Sequence, residues 1–418
     1  MGPYSIVVIG ASFGGIPAAH GLLRDVLPAI PALREQSYNV TLISPSPYFY
    51  WKVGSPRTIV NPAALPIEKV LLPIADGFKA YPKEHFEFVQ AYATAINHAT
   101  KTVELSTDDG KTSHITYDSL VIASGTTFAS PLWTVSKGSD ALLAALKAVH
   151  ARLPHASSVL VAGGGPAGVE TAGELGQTYG GGKKEITLFS GSSRLLPRLK
   201  NAAVGKAAEA RLAKQGVKVV HGVKVAGVDE AADGGKTTVA LDDGTKMVVD
   251  VYIDATGELP NNKFIPEAWL DARGYVKTDS QTLRLDVPGV KRVYCIGSAG
   301  SYSNGGLLDV KFAGKALLES IELDIIEHCE ISSLDPIPAS SWLGRLTSWL
   351  PFFGSTDPAK RKNIYKRITE ADMQFVPIGS TQGVGAVFGY KLPSFVITQV
   401  KSKDFMIRNA PKLVAGTG

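Results

Sequence analysis

Short apolar runs rich in β-branched residues recur along the chain, and each stops at a cluster of small residues. Ile6-Val7-Val8-Ile9 meets Gly10-Ala11-Ser12-Phe13-Gly14-Gly15 and continues into Ile16-Pro17-Ala18-Ala19-His20-Gly21-Leu22-Leu23. The pattern predicts a buried strand, a tight turn and a helix. About 150 residues later Val159-Leu160-Val161-Ala162 meets Gly163-Gly164-Gly165-Pro166-Ala167-Gly168 and runs into the helical Val169-Glu170-Thr171-Ala172-Gly173-Glu174-Leu175, repeating the unit. Three further runs close in the same way: Leu120-Val121-Ile122 at Ala123-Ser124-Gly125, Val251-Tyr252-Ile253-Asp254 at Ala255-Thr256-Gly257, and Val293-Tyr294-Cys295-Ile296 at Gly297-Ser298. Strands alternating with helices in this fashion predict an α/β architecture.

The glycine spacing adds chemistry. In a dinucleotide-binding turn the first glycine permits the bend, the second lets backbone approach a pyrophosphate, and the third brings helix onto strand. Gly163, Gly165 and Gly168 form an intact GxGxxG, while the first cluster, built on Gly10, Gly14 and Gly15, puts Ser12 in the second position. A single match also arises in α/β domains that bind nothing; two, each between a strand and a helix, imply two dinucleotide-binding domains. Serine at position 12 is small enough for a phosphate to approach, and its hydroxyl either crowds that phosphate or bonds to it.

Composition narrows the rest. A chain of 418 residues exceeds one ordinary core, and 44% apolar with 19% charged residues excludes wholesale disorder, collagen and coiled coil. The net charge is only +5, and eleven basic against five acidic residues follow Glu330, so any basic surface is C-terminal. Without a recognition motif this modest charge argues against a nucleic-acid partner. Cys295 and Cys329 form no CxxC, disulfide framework or zinc site. The eight histidines lack any ligand spacing, so no metal is expected. A strand beginning near residue 5 leaves no room for a signal peptide, and no apolar run approaches the ~18 to 20 residues of a membrane span. A cytoplasmic protein, at most peripheral on an intracellular membrane, is expected.

Through these glycine-marked strand ends, residues from about 5 to 320 resemble the two-dinucleotide-binding flavoprotein reductases. That class holds glutathione-reductase-like enzymes, type II NADH dehydrogenases and apoptosis-inducing-factor-like proteins. Tyr50-Trp51-Lys52-Val53-Gly54-Ser55-Pro56-Arg57 and the tail Gly383-Val384-Gly385-Ala386-Val387-Phe388-Gly389-Tyr390-Lys391-Leu392-Pro393-Ser394-Phe395 are similar to its AMID-like branch, the ferroptosis-suppressor group and its fungal relatives. The resemblance implies two Rossmann-like domains in the glutathione-reductase-like FAD/NAD(P) fold: an FAD domain in two pieces (1–130 and 270–330), an inserted NAD(P)H domain (131–269) and a C-terminal α+β cap (331–418). It implies FAD contacts at Gly10, Ser12, Gly14, Gly15, Ser44, Lys52, Arg57, Ala93, Ala123, Ser124, Gly125, Gly297, Ser298 and Lys311. For NADPH or NADH it implies Gly163, Gly165, Pro166, Gly168, Glu170, Ser190, Arg194, Thr256 and Gly257.

Serine stands at three positions where that family usually carries an acid. Ser44 retains one hydrogen bond for the adenosine ribose of FAD, and Ser298 replaces the acid that usually holds the ribityl chain. At Ser190 the missing acid, with Ser192 and Arg194 behind it, favours NADPH over NADH; the alternative leaves Arg194 and Arg198 as solvated surface charges. Catalytic candidates by resemblance are Glu170, Lys52 and Lys311. Glu170 either orients the nicotinamide carboxamide, pairs with a lysine, or is simply an acid in the first turn of its helix. Lys52 and Arg57 either pair with Glu170, approach the isoalloxazine edge, or are surface cations. Lys311 is expected to begin the helix whose N-terminus faces the pyrimidine edge of the flavin. Glu174 is expected to be structural.

Trp342, Leu346, Trp349 and Phe353 recur at helical spacing, and Lys360-Arg361-Lys362 with Lys366-Arg367 follow. Residues 340–367 therefore read either as a membrane or quinone dock or as a packed cap helix with a solvated basic face. The leading functional expectation is hydride transfer from NAD(P)H through FAD to a quinone-like or conjugated aromatic acceptor, by a monomer or homodimer. Against it stand a biosynthetic flavoprotein acting on one secondary metabolite, and a cofactor-poor scaffold that binds a partner or membrane.

Overall fold

The structure, a computed structural model, describes residues 2–31, 33, 37–230, 235–328 and 373–417. The principal elements are, in chain order, β1 (Tyr4–Ile9), α1 (Gly15–Gly21), β2 (Tyr38–Ser44), α2 (Ser55–Val60), β3 (Phe86–Gln90), β4 (Ser119–Ile122), β5 (Ser158–Ala162), α3 (Pro166–Tyr179), β6 (Glu185–Ser190), α4 (Ala202–Lys214), β7 (Val217–His221), β8 (Val251–Asp254), β9 (Val293–Cys295), α5 (Leu307–His328), β10 (Gln374–Pro377), β11 (Gly383–Val387) and β12 (Tyr390–Lys391).

Two compact units divide the chain. The first holds Met1–Ser44, Gly77–Gly125 and the described residues from Pro260 to His328; the second holds Pro45–Asp76, Thr126–Leu259 and those from Met373 onward. The first is built on a parallel sheet in the order β9-β4-β1-β2-β3. Its central strands are apolar on both faces, as a parallel sheet covered on both sides requires. Val7, Ile9, Leu120, Ile122 and Val293 form one core with Phe264 and Trp269. Register decides where this sheet ends. Ile9 pairs with Ile43 and Ile122, and Ile122 with Cys295, so Gly10, Ser44, Ala123 and Ile296 follow at one edge.

The second unit repeats the device with β7-β6-β5-β8, all parallel. Ala162 pairs with Phe189 and Asp254, so Gly163, Ser190 and Ala255 again share one edge. Leu160 and Phe189 pack with Val239 and Val249 of an antiparallel sheet.

Residues 45–76 fall in the second unit and 260–269 in the first. The reason for the former is burial. All six residues of α2 are buried and the helix packs on α3, while Tyr50 Oη donates to the Leu132 carbonyl at 3.1 Å and Trp51 Nε1 to that of Phe405 at 2.9 Å. The described part of the C-terminal region is α+β: antiparallel β10-β11-β12, a helical turn at Ser394–Ile397 and a π-helix at Thr398–Ser402. The aromatic and basic positions from Trp342 to Arg367 lie outside the described residues.

Candidate functional site

Each unit carries a cradle at the carboxyl edge of its sheet, where open α/β sheets bind ligands. In the first unit Gly10 has φ +109°, and an added Cβ would stand 2.4 Å from the Ala123 carbonyl oxygen. At Gly15 it would stand 1.7 Å from the carbonyl oxygen of Gly10, and at Gly14 3.2 Å from Ile296. Backbone cannot yield as a side chain does, so Gly10 and Gly15 are fixed as glycine by the turn itself. Ser12 lies in the bend between them. Ser44 is buried at the end of β2, and Ser124 Oγ donates to the Asn261 carbonyl at 2.9 Å. Gly125, with φ +62°, faces open space. After β9, Gly297 turns at φ +86° and its amide donates to Tyr302 Oη at 2.8 Å, leaving Ser298 half-buried beside it. Ala93 sits at a register shift in the strand Tyr92–Asn97, against the core of this unit.

Lys311 corrects the sequence reading. The helix begins at Leu307, so Lys311 opens its second turn and is exposed. The first turn holds Asp309, buried at 2% exposure and accepting a hydrogen bond from Ser303 Oγ at 2.6 Å.

The second cradle has the same steric logic. At Gly163 (φ +125°) a Cβ would meet the Ala255 carbonyl oxygen at 2.4 Å, and at Gly168 that of Gly163 at 1.8 Å. Gly165 meets nothing within 4 Å, so the protein's own packing does not require glycine there and the backbone is open to a group approaching from outside. Pro166 starts α3 at the position where its missing amide costs no helical bond. The free amides and dipole of this helix end suit an anion. Beyond β8, Thr256 is tied by its amide and Oγ1 to Asp254 Oδ1 at 2.8 and 2.5 Å, and Gly257 follows at φ +26°. Both cradles thus fit the diphosphate of a dinucleotide.

Ser190 ends β6 directly under Gly164, with its Oγ donating toward the Arg194 and Ser192 carbonyls at 3.1 and 3.2 Å. Arg194 Nη2 donates to the Pro197 and Leu199 carbonyls at 2.9 and 2.6 Å, while its buried Nη1 has no hydrogen-bond partner among the described residues. Lys224, which sequence reasoning missed, lies against Gly191 just past Ser190.

Charge pairing inside the second unit departs from expectation. Arg57 does not meet Glu170. Its Nε and Nη2 donate to Glu174 at 3.0 and 2.8 Å, Nη2 and Nη1 reach the Ser402 and Lys403 carbonyls at 2.8 and 2.7 Å, and the guanidinium lies 4.7 Å from the Phe405 ring centre. Glu174 is thus held in a buried ion pair with Arg57. Lys52 does not pair with Glu170 either: it sits 5.6 Å from the Phe128 ring centre, and burial holds its amine below the usual lysine range against the opposing pull of Glu258. The partner of Glu170 is Lys401, at 2.6 Å. No spacing or motif marks Lys401, 231 positions away along the chain.

Cys295 is fully buried, its thiol pushed up to about 12 by that burial, so it stays protonated and inert. No helix among the described residues is long and apolar enough to cross a membrane.

The family model described as pyridine nucleotide-disulphide oxidoreductase matches residues 4–307. The chain is 32% identical over 429 residues to Oxidoreductase phnG of Penicillium herquei, covering 99% of this chain and 96% of that protein. It is 32% identical over 413 residues to Oxidoreductase ptaL of Pestalotiopsis fici, covering 99% of each. Among solved structures, NDH2 from Plasmodium falciparum in complex with NADH matches with a TM-score of 0.64 at 16% identity over 99% of both chains, a likeness of fold. Ferroptosis suppressor protein 1 of Taeniopygia guttata is 23% identical over 421 residues, covering all of this chain and 97% of that one. Two glycine cradles of matching geometry and these full-length relatives make the chain an oxidoreductase of the pyridine nucleotide-disulphide oxidoreductase family.

Proposed function

We propose that this oxidoreductase is FAD-dependent, draws reducing equivalents from NADPH in preference to NADH, and delivers them to a conjugated acceptor of quinone type. The observation that carries the reading is the pair of cradles, each fixed by backbone collisions at two glycines and the second open at Gly165. A bound flavin supplies the two-electron carrier between nicotinamide and acceptor. The chain's part is to hold the diphosphates at Gly10–Gly15 and Gly163–Gly168 and to set charge around the nicotinamide. A small acceptor is favoured over a disulfide because Cys295 is buried and protonated and the sequence has no CxxC.

The NADPH preference follows from charge. No acid stands at the end of β6, Arg194 keeps one buried nitrogen without a partner, and Lys224 lies alongside. Ser190→Asp restores the acid. It is expected to shift the ratio of half-saturating NADPH to NADH by about 10- to 100-fold toward NADH, the worth of one charge-assisted hydrogen bond gained and one repulsion added. Anaerobic flavin bleaching by each nucleotide measures this, and an unchanged ratio removes Ser190 from cofactor choice.

Ser44 and Ser298, where the family usually has acids, favour a second reading: a biosynthetic flavoprotein acting on one secondary metabolite. Steady-state turnover with a panel of quinones of varied substitution separates the two. Broad acceptance supports the quinone reading and overturns the narrow one; activity confined to one member does the reverse.

A further inference from the structure

We propose that His98, Lys101, Arg292 and His328 form an anion site at the amino edge of the first sheet, suited to a small phosphate dianion and separate from the glycine cradle.

The starts of the strands bring these residues together. Asp118 precedes β4 and Arg292 precedes β9. Arg292 Nε donates to the Asp118 carbonyl at 3.0 Å, and the Leu120 amide donates to the Arg292 carbonyl at 2.9 Å. Tyr117, one residue earlier, donates its amide to the Lys101 carbonyl at 3.0 Å, and its hydroxyl stands 3.3 Å from His98 Nδ1. His98 and Lys101 are the two ends of one turn, closed by the Lys101 amide on the His98 carbonyl at 3.3 Å. His328 ends α5, with its ring edge-on to that of Tyr4, the first residue of β1, at 6.0 Å between centres. All of these residues belong to the first unit. The cradle lies at the other end of β4, four residues away or roughly 10 Å in a parallel sheet.

The cluster lacks counter-charge. Lys101 and Arg292 are half-buried, yet Lys101 Nζ and both Nη atoms of Arg292 have no hydrogen-bond or ion-pair partner among the described residues. Asp118 is the one acid acting on either imidazole, and its Oδ2 already accepts from the Ser5 amide at 2.9 Å. Burial, then Lys101 and Arg292, hold His98 below the usual histidine range. Burial, then Arg292 with Lys101, does the same to His328 against the pull of Asp118. The same two cations act on both rings, so the four groups share one neighbourhood. A dianion placed there offsets the repulsion and draws protons onto the rings, which gains it further donors.

The backbone gives a second, independent sign. Lys101 and Arg292 have φ +51° and +56°, a left-handed conformation that glycine takes without strain and that is uncommon for a residue with a side chain. Long cations stand at both positions, and neither pairs with an acid of the protein. Strain of this kind concentrates where a ligand is held. A guanidinium fork, an ammonium and two imidazoles offer donors from several directions, which suits the tetrahedral oxygens of phosphate better than a planar carboxylate.

The test is a titration of the purified full chain with sodium phosphate at constant ionic strength, balanced with chloride. It is read by NMR of protein labelled with carbon-13 at histidine Cε1. Two of the eight histidine signals, assigned through His98→Gln and His328→Gln, are expected to shift saturably, with half-saturation on the order of 1 mM. The half-saturating concentration is expected to fall as pH is lowered, because binding takes up protons. Lys101→Gly removes one cation and relaxes the left-handed turn, so it is expected to fold and to bind about 10-fold or more weakly. Arg292→Met is expected to weaken binding likewise, and where it does not fold K101G decides. A wild-type response in K101G overturns the proposal. So do shifts that chloride alone reproduces, the mark of an adventitious ion only. Shifts confined to His221, which pairs in register with Ser190, place phosphate in the second cradle instead and also overturn it. Phenyl phosphate forms a second arm: half-saturation equal to that of phosphate supports the site as one for esters, and no response to it supports one for the free ion.

Discussion

Replacing Gly168 with alanine is expected to leave the protein yellow but no longer reducible by either nucleotide. The added Cβ would stand 1.8 Å from the Gly163 carbonyl oxygen, a contact that only displacement of the turn or of α3 relieves. Either movement takes the helix N-terminus away from the diphosphate, and a loss of at least ~100-fold in nucleotide affinity is expected where several backbone bonds to charged phosphate are misplaced together. Gly15→Ala makes the same collision in the first unit, at 1.7 Å from the Gly10 carbonyl oxygen, and is expected to give colourless protein instead. The two variants therefore separate the cradles by function. Flavin content of the purified proteins and anaerobic titration with NADPH and NADH check both. If G168A bleaches at wild-type concentrations, the second cradle is not the nucleotide site.

The second large effect is on stability. Arg57→Met leaves the Glu174 carboxylate, 2% exposed, without its guanidinium, and also strips donors from the Ser402 and Lys403 carbonyls. Breaking one side of a buried pair costs about 3–5 kcal/mol because the remaining charge stays desolvated. Removing both charges in Arg57→Met/Glu174→Met is expected to recover much of that loss, since the desolvation cost of the pair disappears with it. The midpoint of the first thermal unfolding transition should fall clearly in the single variant and partly return in the double one. Equal midpoints for wild type and R57M would contradict the buried-pair account.

The parts legible in the sequence were those where backbone geometry constrains residue type. Gly10, Gly15, Gly163 and Gly168 could be read from spacing because any side chain there collides with main chain, whatever the rest of the fold does. Both parallel sheets were legible for a related reason: β1, β4 and β5 are continuous apolar runs of the kind that strands buried on both faces require. Charge partners were not legible. Glu170 and Lys401 are 231 positions apart, Arg57 and Glu174 117, and each pairing is decided by which surfaces α2, α3 and the π-helix bring together. The resemblance offered Lys52 or Arg57 as a partner for Glu170, while the lysine that stands beside it, Lys401, comes from a stretch with no signature. Lys311 was misread for a local reason. The helix starts at Leu307, four residues earlier than the resemblance implied, and its first-turn charge is the buried Asp309.

The most direct test of the central claim is the anaerobic visible spectrum of the purified protein, titrated first with NADPH and then, in a fresh sample, with NADH. Two glycine-fixed cradles in an oxidoreductase of this family predict oxidised-flavin bands that bleach with either nucleotide, and at lower concentration with NADPH. Protein that is colourless and takes up no added FAD would contradict the account.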